Sequence, residues 1–126
     1  LSFEGETGPY VQYTHARASS LLEKGEFKLK EKIDYTLLKD EDEIDLIRLL
    51  YKFPEAVLDA TYKYEPSFIT RHIVEIAKAF NKFYNSCPIL SAEEDLKEAR
   101  LMLVYCTRMV IRTGLALLGM EAPNKM

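Results

Sequence analysis

Cysteine and histidine are scarce in this chain of 126 residues, and their scarcity argues against several kinds of site. The two cysteines, Cys87 and Cys106, are too few for the ligand set of a structural zinc site or for a disulfide framework. We interpret them as small apolar residues of a protein in a reducing compartment. The two histidines, His15 and His72, have no catalytic partner at local spacing. We therefore expect no general-base role for either, and a surface or hydrogen-bonded packing role for His15.

Long apolar runs are also missing. No stretch approaches the roughly 20 apolar residues of a membrane span, and Leu1 does not open a charged region followed by an apolar core. The sequence therefore predicts a cytoplasmic protein without a membrane partner. Because the first residue is not methionine, we expect the chain to be part of a longer protein.

The chain lacks both an excess of positive charge and the motifs of an active site. Its net charge of −3 at pH 7 argues against binding nucleic acid through bulk electrostatics, so any RNA binding must use a local surface. It has no phosphate-binding glycine loop, no Cys-x-x-Cys pair and no His-Glu-x-x-His motif. We therefore expect this chain to contain no catalytic residue, no metal site and no cofactor site.

Helix-forming residues dominate what is present, in a chain that is 48% hydrophobic and 29% charged. This balance predicts one domain over residues 1–126, folded as an all-α five-helix bundle. The predicted boundaries are set by prolines at first helical positions, the carboxylates of residues 40–43, a Ser91–Glu94 capping box and two glycines. The predicted helices are Pro9–Lys24, Glu43–Lys52, Pro54–Tyr64, Pro66–Asn85 and one that begins at Ala92 and ends before Gly119. Residues 26–43 are predicted to form a connection with a short turn of helix.

Apolar residues at helical spacing predict the face that each helix buries. The residues predicted to be buried are Ile44, Ile47 and Tyr51 in the second helix; Val57, Leu58 and Thr61 in the third; Ile69, Ile73, Ile76, Phe80 and Phe83 in the fourth; and Ala99, Met102, Leu103, Cys106, Met109, Val110, Thr113 and Leu117 in the fifth.

Two groups of basic residues recur at spacings that place each group on one helix face. The first group is Arg71, Lys78 and Lys82, and the second is Arg100, Arg108 and Arg112. Cations on such faces hold phosphates, while an unstacked base lies against a side chain such as Tyr84 or Met126. The alternative is an ordinary solvated face whose cations pair with Glu75, Glu93 or Glu98.

Three segments of the chain resemble motifs of the arginyl-tRNA synthetase family. The run Thr7–Arg17, T-G-P-Y-V-Q-Y-T-H-A-R, follows Phe3-Glu4-Gly5 and is similar to the T-G-P-Y-x-Q-Y-x-H-A-R of that family. Residues 79–84, A-F-N-K-F-Y, look like its A-F-x-x-F-Y. Residues 117–123, L-L-G-M-E-A-P, followed by a terminal methionine, look like its ending. The resemblance spans the whole chain in the family's order.

The resemblance implies a helical anticodon-binding domain of the D-A-L-R type. A parent enzyme of this family joins arginine to its tRNA with ATP and magnesium, through a catalytic domain whose H-I-G-H-like and K-M-S-K-S-like motifs are missing here. We therefore expect this chain to bind arginine tRNA without catalysing the reaction, and to attach to the missing catalytic domain. Residues 1–8 would be a remnant of that junction, and we expect a monomer.

The resemblance also implies which residues contact tRNA. Tyr84 would be the family's anticodon-loop tyrosine and Met126 its C-terminal methionine. With the basic residues, the expected tRNA-binding set is Tyr84, Met126, Arg71, Lys78, Lys82, Arg108, Arg112 and Lys125. The residues that match the family signature are Tyr10, Gln12, His15 and Arg17, which we expect to organise the first helix and its junction. Family members often end in Glu-Arg-Met, so the lysine at position 125 replaces a planar guanidinium.

Two other interpretations stay open at this point. One is a helical protein-interaction module that never touches RNA. The other is the equivalent domain of another class I synthetase, such as a cysteinyl enzyme, although the Thr7–Arg17 run weighs against it.

Overall fold

The computed structural model describes Gly5 and residues 7–126, and these residues form an all-α structure without a strand. Five α-helices follow one another: α1 (Gly8–Lys24), α2 (Glu41–Tyr51), α3 (Phe53–Lys63), α4 (Ser67–Ser86) and α5 (Glu94–Leu117). A short 3₁₀ helix, Tyr35–Leu37, interrupts the connection between α1 and α2. The five predicted helices are confirmed. The predicted junction at residues 1–8 falls largely on residues 1–4 and 6, outside the described part.

Prolines and a glycine set several helix boundaries, as predicted. Pro9 and Pro54 occupy first-turn positions of α1 and α3, where a missing N–H costs nothing. Pro66 instead takes the N-cap position of α4. After α5, Gly119 has φ +75°, the left-handed conformation that closes a helix. The Met120 N–H then donates to the Leu115 carbonyl at 2.8 Å, which turns the chain back.

The capping box predicted at Ser91 is wrong. Helix α5 begins at Glu94, and the side chain of its N-cap residue, Glu93, accepts from the Asp95 N–H at 3.3 Å. Ser91 belongs instead to a turn in which the Ala92 N–H donates to the carbonyl of the buried residue Ile89. A capping box does form at α2, where the side chain of Asp40 accepts from the helix backbone and the Glu43 carboxylate accepts from the Asp40 N–H.

Helix α4 lies at the centre of the molecule and packs against each of the other four helices. Its predicted stripe, Ile69, Ile73, Ile76, Phe80 and Phe83, is confirmed as buried. Helix α5 crosses it closely at Gly114, where an added Cβ would come within 2.5 Å of the Ile73 Cγ2 atom. The free thiols of Cys87 and Cys106 lie in or near this core, and burial raises the pKa of both.

The predicted buried face of α2 is wrong. Ile47 is exposed and Tyr51 is 86% exposed, whereas Glu43 and Leu46 are fully buried. The cause is an ion pair, because the Arg100 Nε atom on α5 donates to the Glu43 carboxylate at 2.7 Å. This interaction holds a charged residue of α2 inside the protein, while Ile47 and Tyr51 face outward and Ile44, the third residue of the prediction, is half-buried.

The predicted faces of α3 and α5 are also partly wrong. On α3, Phe53 and Ala60 are buried, while Leu58 and Thr61 are exposed and Val57 is half-buried. On α5, Ala99 and Leu103 are buried as predicted, but the remaining buried residues are Leu101, Val104, Thr107, Ile111, Gly114 and Leu115. Met102, Cys106 and Val110 are half-buried, and Met109, Thr113 and Leu117 are exposed. Helix α5 packs against both α1 and α4, and the face that these contacts select includes Thr107 and Gly114, which an apolar pattern omits.

Candidate nucleic-acid interface

The C-terminal tail, residues 118–126, runs back along α1 and is held there by hydrogen bonds. The Gln12 amide donates to the Glu121 carbonyl at 3.0 Å, and the Nδ1 atom of His15 lies 2.7 Å from the Pro123 carbonyl. The Ser19 hydroxyl and an Arg112 guanidinium nitrogen both donate to the Asn124 side-chain oxygen, at 3.3 and 3.4 Å. Helices α1 and α5 together therefore fix the end of the chain.

His15 forms the most buried of these anchors. Its side chain is fully buried, and its Nδ1 carries the proton in this arrangement, since a carbonyl oxygen can only accept. Its Nε2 atom has no hydrogen-bond partner within the described residues. Burial lowers the pKa of His15, and the nearby cations Arg112 and Arg108 lower it further. The hydrogen bond to Pro123 opposes this shift without reversing it, so the folded protein favours the neutral imidazole, which acts as a structural donor.

Tyr84 and Met126 line the same cavity, which we call the Tyr84–Met126 cavity. It has a volume of about 510 Å³ and is also lined by Arg17, Lys24 and Leu90. Tyr84 is 36% exposed and Met126 is 68% exposed, so both side chains are accessible to a ligand. The structure thus brings Tyr84, the last aromatic residue of α4, to the same cavity as Met126, the last residue of the chain. Their contact with RNA stays a prediction.

Arg17 covers one face of the Tyr84 ring. Its guanidinium carbon lies 4.2 Å from the ring centroid, a cation–π contact, and its Nη1 atom donates to the side chain of Asn81 at 2.7 Å. Asn81 in turn donates to the Tyr10 hydroxyl at 3.1 Å and to the Thr14 hydroxyl at 3.0 Å. This network joins α1 to α4 and fixes the cation on the tyrosine.

The four signature residues therefore have contacts within the chain. Tyr10 and Arg17 join α1 to α4, while Gln12 and His15 hold the tail. Their expected role at a junction with a catalytic domain stays a prediction. The Nε2 atom of His72, the other histidine, lies 2.7 Å from the Leu49 carbonyl near the end of α2.

The predicted basic residues divide into separate groups. Lys125 lines the Tyr84–Met126 cavity, and Arg108 and Arg112 lie on the neighbouring face of α5. The Nζ atom of Lys82, an exposed side chain, is 3.6 Å from the carboxylate of Asp42, whose side chain is 15% exposed. Arg71 and Lys78 line a different cavity, beside Tyr10 and Val74, and Arg71 lies about 20 Å along α4 from Tyr84.

Arg100 does not belong to an exposed basic face, although its spacing placed it there. Its side chain is only 11% exposed, and besides Glu43 it contacts the Pro88 carbonyl through Nη1 at 2.6 Å. Of the carboxylates suggested as partners for the basic faces, Glu98 pairs with Lys30 at 2.6 Å instead.

The cavity residues that sequence reasoning missed include Tyr13, Lys24 and Leu90. A signal was present for the first two, because Tyr13, Arg17 and Lys24 recur at i, i+4 and i+11 and so share one face of α1. Nothing comparable pointed to Leu90, which reaches the cavity through the turn between α4 and α5.

Within the described part of the chain, no cluster of three or more His, Cys, Asp or Glu residues could hold a metal ion. None of the described helices combines the length and apolar character needed to cross a membrane.

Known proteins resemble this chain over its whole length. Residues 11–126 match the DALR anticodon binding domain. The arginine–tRNA ligases of Halothermothrix orenii and Alkaliphilus metalliredigens are 54% and 53% identical to it over 126 residues, which is 100% of this chain and 22% of each relative. The chain therefore spans about a fifth of the length of these relatives.

Two solved structures share the fold. Thermus thermophilus arginyl-tRNA synthetase superposes with a TM-score of 0.87 at 39% identity, over 100% of this chain and 22% of that one. A putative arginyl-tRNA synthetase from Campylobacter jejuni gives 0.84 at 26% identity, over 93% of this chain and 26% of that one.

The chain belongs to the DALR anticodon-binding domain family. Within that family, its similarity is to arginyl-tRNA synthetases. This similarity supports the anticodon-binding interpretation over a protein-interaction module and over the domain of a different class I synthetase.

Proposed function

We propose that this chain binds the anticodon loop of arginine tRNA, and that the Tyr84–Met126 cavity receives an unstacked base of that loop. The observation that carries the proposal is the meeting of Tyr84 and Met126 at one accessible cavity. In a longer arginine–tRNA ligase, ATP and magnesium would be held by the catalytic part, and this chain would contribute tRNA binding alone.

The geometry of Tyr84 supports a stacking role. Arg17 occupies one face of the ring at 4.2 Å, so a base would stack on the opposite face. Aromatic stacking tolerates any base, because every base has a π-face, and neighbouring cations hold the phosphates. Lys24 and Lys125 line the same cavity and can supply that charge.

Other basic residues would extend the contact along the RNA backbone. Arg108 and Arg112 lie beside the tail that carries Met126, and Lys82 lies two residues before Tyr84 on α4. Arg71 and Lys78 are farther along α4 and would meet a more distant part of the tRNA. A chain with a net charge of −3 needs such a local concentration of cations to bind a polyanion.

The test is a titration of the 126-residue chain with an arginine tRNA transcript at several salt concentrations. Tyr84→Ala and Met126→Ala should each weaken binding, and loss of one stacking contact of about 1–3 kcal/mol corresponds to roughly five- to a hundredfold. Tyr62→Ala is the matched control, because Tyr62 is an exposed tyrosine on α3 that does not line the cavity.

Equal affinity of the Tyr84→Ala and Met126→Ala variants with the unaltered chain would contradict the proposed site. Equal affinity for an arginine tRNA and for an unrelated tRNA of the same length would contradict the proposed specificity. We further propose that the protein acts in the cytoplasm and that this chain is a monomer, which sedimentation at micromolar concentration tests.

A further inference from the structure

A second cavity adjoins the first. It also has a volume of about 510 Å³, and it shares three lining residues with the Tyr84–Met126 cavity: Ser20, Asn124 and Lys125. We call it the Tyr105 cavity. Its other walls come from α1, from the segment that follows α1 and from α5, so the C-terminal tail borders both cavities.

An aromatic pair forms one wall of the Tyr105 cavity. The ring centroids of Phe27 and Tyr105 are 5.2 Å apart with the rings tilted by 32°, and both side chains are half-buried. The guanidinium carbon of Arg108 lies 5.8 Å from the Tyr105 ring centroid. The cavity therefore repeats the combination of a tyrosine and an arginine that Tyr84 and Arg17 form next to it.

Arg108 is a cation that lacks an ion-pair partner within the described residues. Another cation, Arg112, follows it by four residues on α5, and partial burial together with Arg112 lowers the pKa of Arg108. The guanidinium nevertheless stays protonated in any physiological condition. A half-buried cation of this kind, beside an aromatic wall, is well matched by a ligand that is flat at one end and anionic at the other.

Glu23 is the one carboxylate among the described residues that line the Tyr105 cavity, and it limits which ligands fit and how they are oriented. Glu23 lines it together with Ser19 and Ser20. A carboxylate accepts hydrogen bonds from the exocyclic amino group of a base and repels a phosphate. A nucleotide would therefore place its base toward Glu23 and its phosphate toward Arg108 and Lys125, and a base with an amino group would be preferred over uracil.

We propose that the Tyr105 cavity holds a second unstacked base of the RNA whose first base enters the Tyr84–Met126 cavity. The inference rests on the proposed function and adds a site to it. Lys125 lines both cavities, so its ammonium group can meet the RNA backbone that passes between the two bases. Tyr105 and Phe27 then act as stacking residues, and Arg108 as the phosphate contact.

The test reads each loop position separately. An anticodon stem-loop RNA carries the fluorescent base 2-aminopurine at one loop position at a time and is titrated with the 126-residue chain. We expect at least two positions to change fluorescence. Tyr84→Leu should silence one of them, and Tyr105→Leu should silence another, each with a loss of affinity of roughly five- to a hundredfold.

Two further variants make the result decisive. Arg108→Gln removes the cation and leaves the aromatic wall in place. If circular dichroism shows that Tyr105→Leu is unfolded, Arg108→Gln alone tests whether the Tyr105 cavity binds a base. Tyr62→Leu is the matched control, an exposed tyrosine outside both cavities that should leave every signal unchanged.

The outcomes separate the inference from the proposed function. If Tyr84→Leu silences a position while folded Tyr105→Leu or Arg108→Gln changes nothing, the second site is refuted and the first stands. If the substitutions at Tyr84 and Tyr105 silence the same position, the two cavities hold one base and the inference is wrong. If none of the variants alters binding, the proposed function itself fails.

Discussion

Replacing Arg100 by methionine tests whether the buried ion pair holds the bundle together. The Arg100 Nε atom lies 2.7 Å from the Glu43 carboxylate, whose side chain is fully buried, and its Nη1 atom donates to the Pro88 carbonyl. Methionine fills a similar volume without the charge. The substitution would therefore leave a carboxylate inside the protein with one remaining donor, the Asp40 N–H at 3.0 Å.

The expected cost is large for a domain of this size. Removing one partner of a buried pair typically lowers the free energy of unfolding by about 3–5 kcal/mol, because the remaining charge is buried without compensation. Total stability is about 5–15 kcal/mol, so the loss is a substantial part of it. The double variant Glu43→Gln/Arg100→Met should recover part of the loss, since it removes the buried charge as well.

Urea unfolding followed by circular dichroism measures these differences. The matched control is Lys30→Met, which breaks an ion pair of almost the same length, 2.6 Å, whose side chains are 52% and 24% exposed. Solvent screens that pair, so we expect little change. The reasoning would be refuted if Arg100→Met and Lys30→Met lowered the free energy of unfolding equally, or if the double variant were less stable than Arg100→Met alone.

Two further predictions concern the tail and the helix crossing. Because burial lowers the pKa of His15 below its usual 6.5, the folded state favours the neutral ring, and its contribution to stability is complete above pH 6.5 and falls as the pH drops below it. Urea midpoints at pH 7.5 and 5.5 should therefore differ more for the unaltered chain than for His15→Asn, and an identical difference would contradict this. Gly114→Ala places a Cβ within 2.5 Å of Ile73 and should lower the free energy of unfolding by about 1–3 kcal/mol, measured by urea unfolding; an unchanged midpoint would mean that the helices separate easily.

The stripe of α4 could be predicted from sequence, whereas the buried faces of α2 and α5 could not. Helix α4 is surrounded by four others, and its core residues are all apolar, so a period of 3.6 identifies them. Helix α2 buries Glu43 and helix α5 buries Thr107 and Gly114, which hydrophobic spacing does not select. The partner that draws Glu43 inward is 57 residues away in sequence.

Part of the candidate site could be predicted from the sequence, and part of it depends on contacts that only the fold shows. Resemblance to a family pointed to Tyr84 and Met126, and the structure brings them to one cavity. The hydrogen bonds of Gln12 and His15 go to main-chain carbonyls, which leave no mark in the sequence at positions 121 and 123. The Tyr105 cavity combines residues from three separate segments, and only the fold reveals that they meet.

Two anchors of the tail are main-chain carbonyls and a third is the Asn124 side chain, so at positions 121 and 123 the length of the tail matters more than the side chains. Since Gln12 and His15 hold carbonyl groups, many side chains at positions 121 and 123 would leave Met126 where it is. One residue inserted between the last anchor and the methionine would instead carry its thioether about 3.5 Å onward. The number of residues from Gly119 to Met126 therefore determines where along α1 the methionine side chain lies.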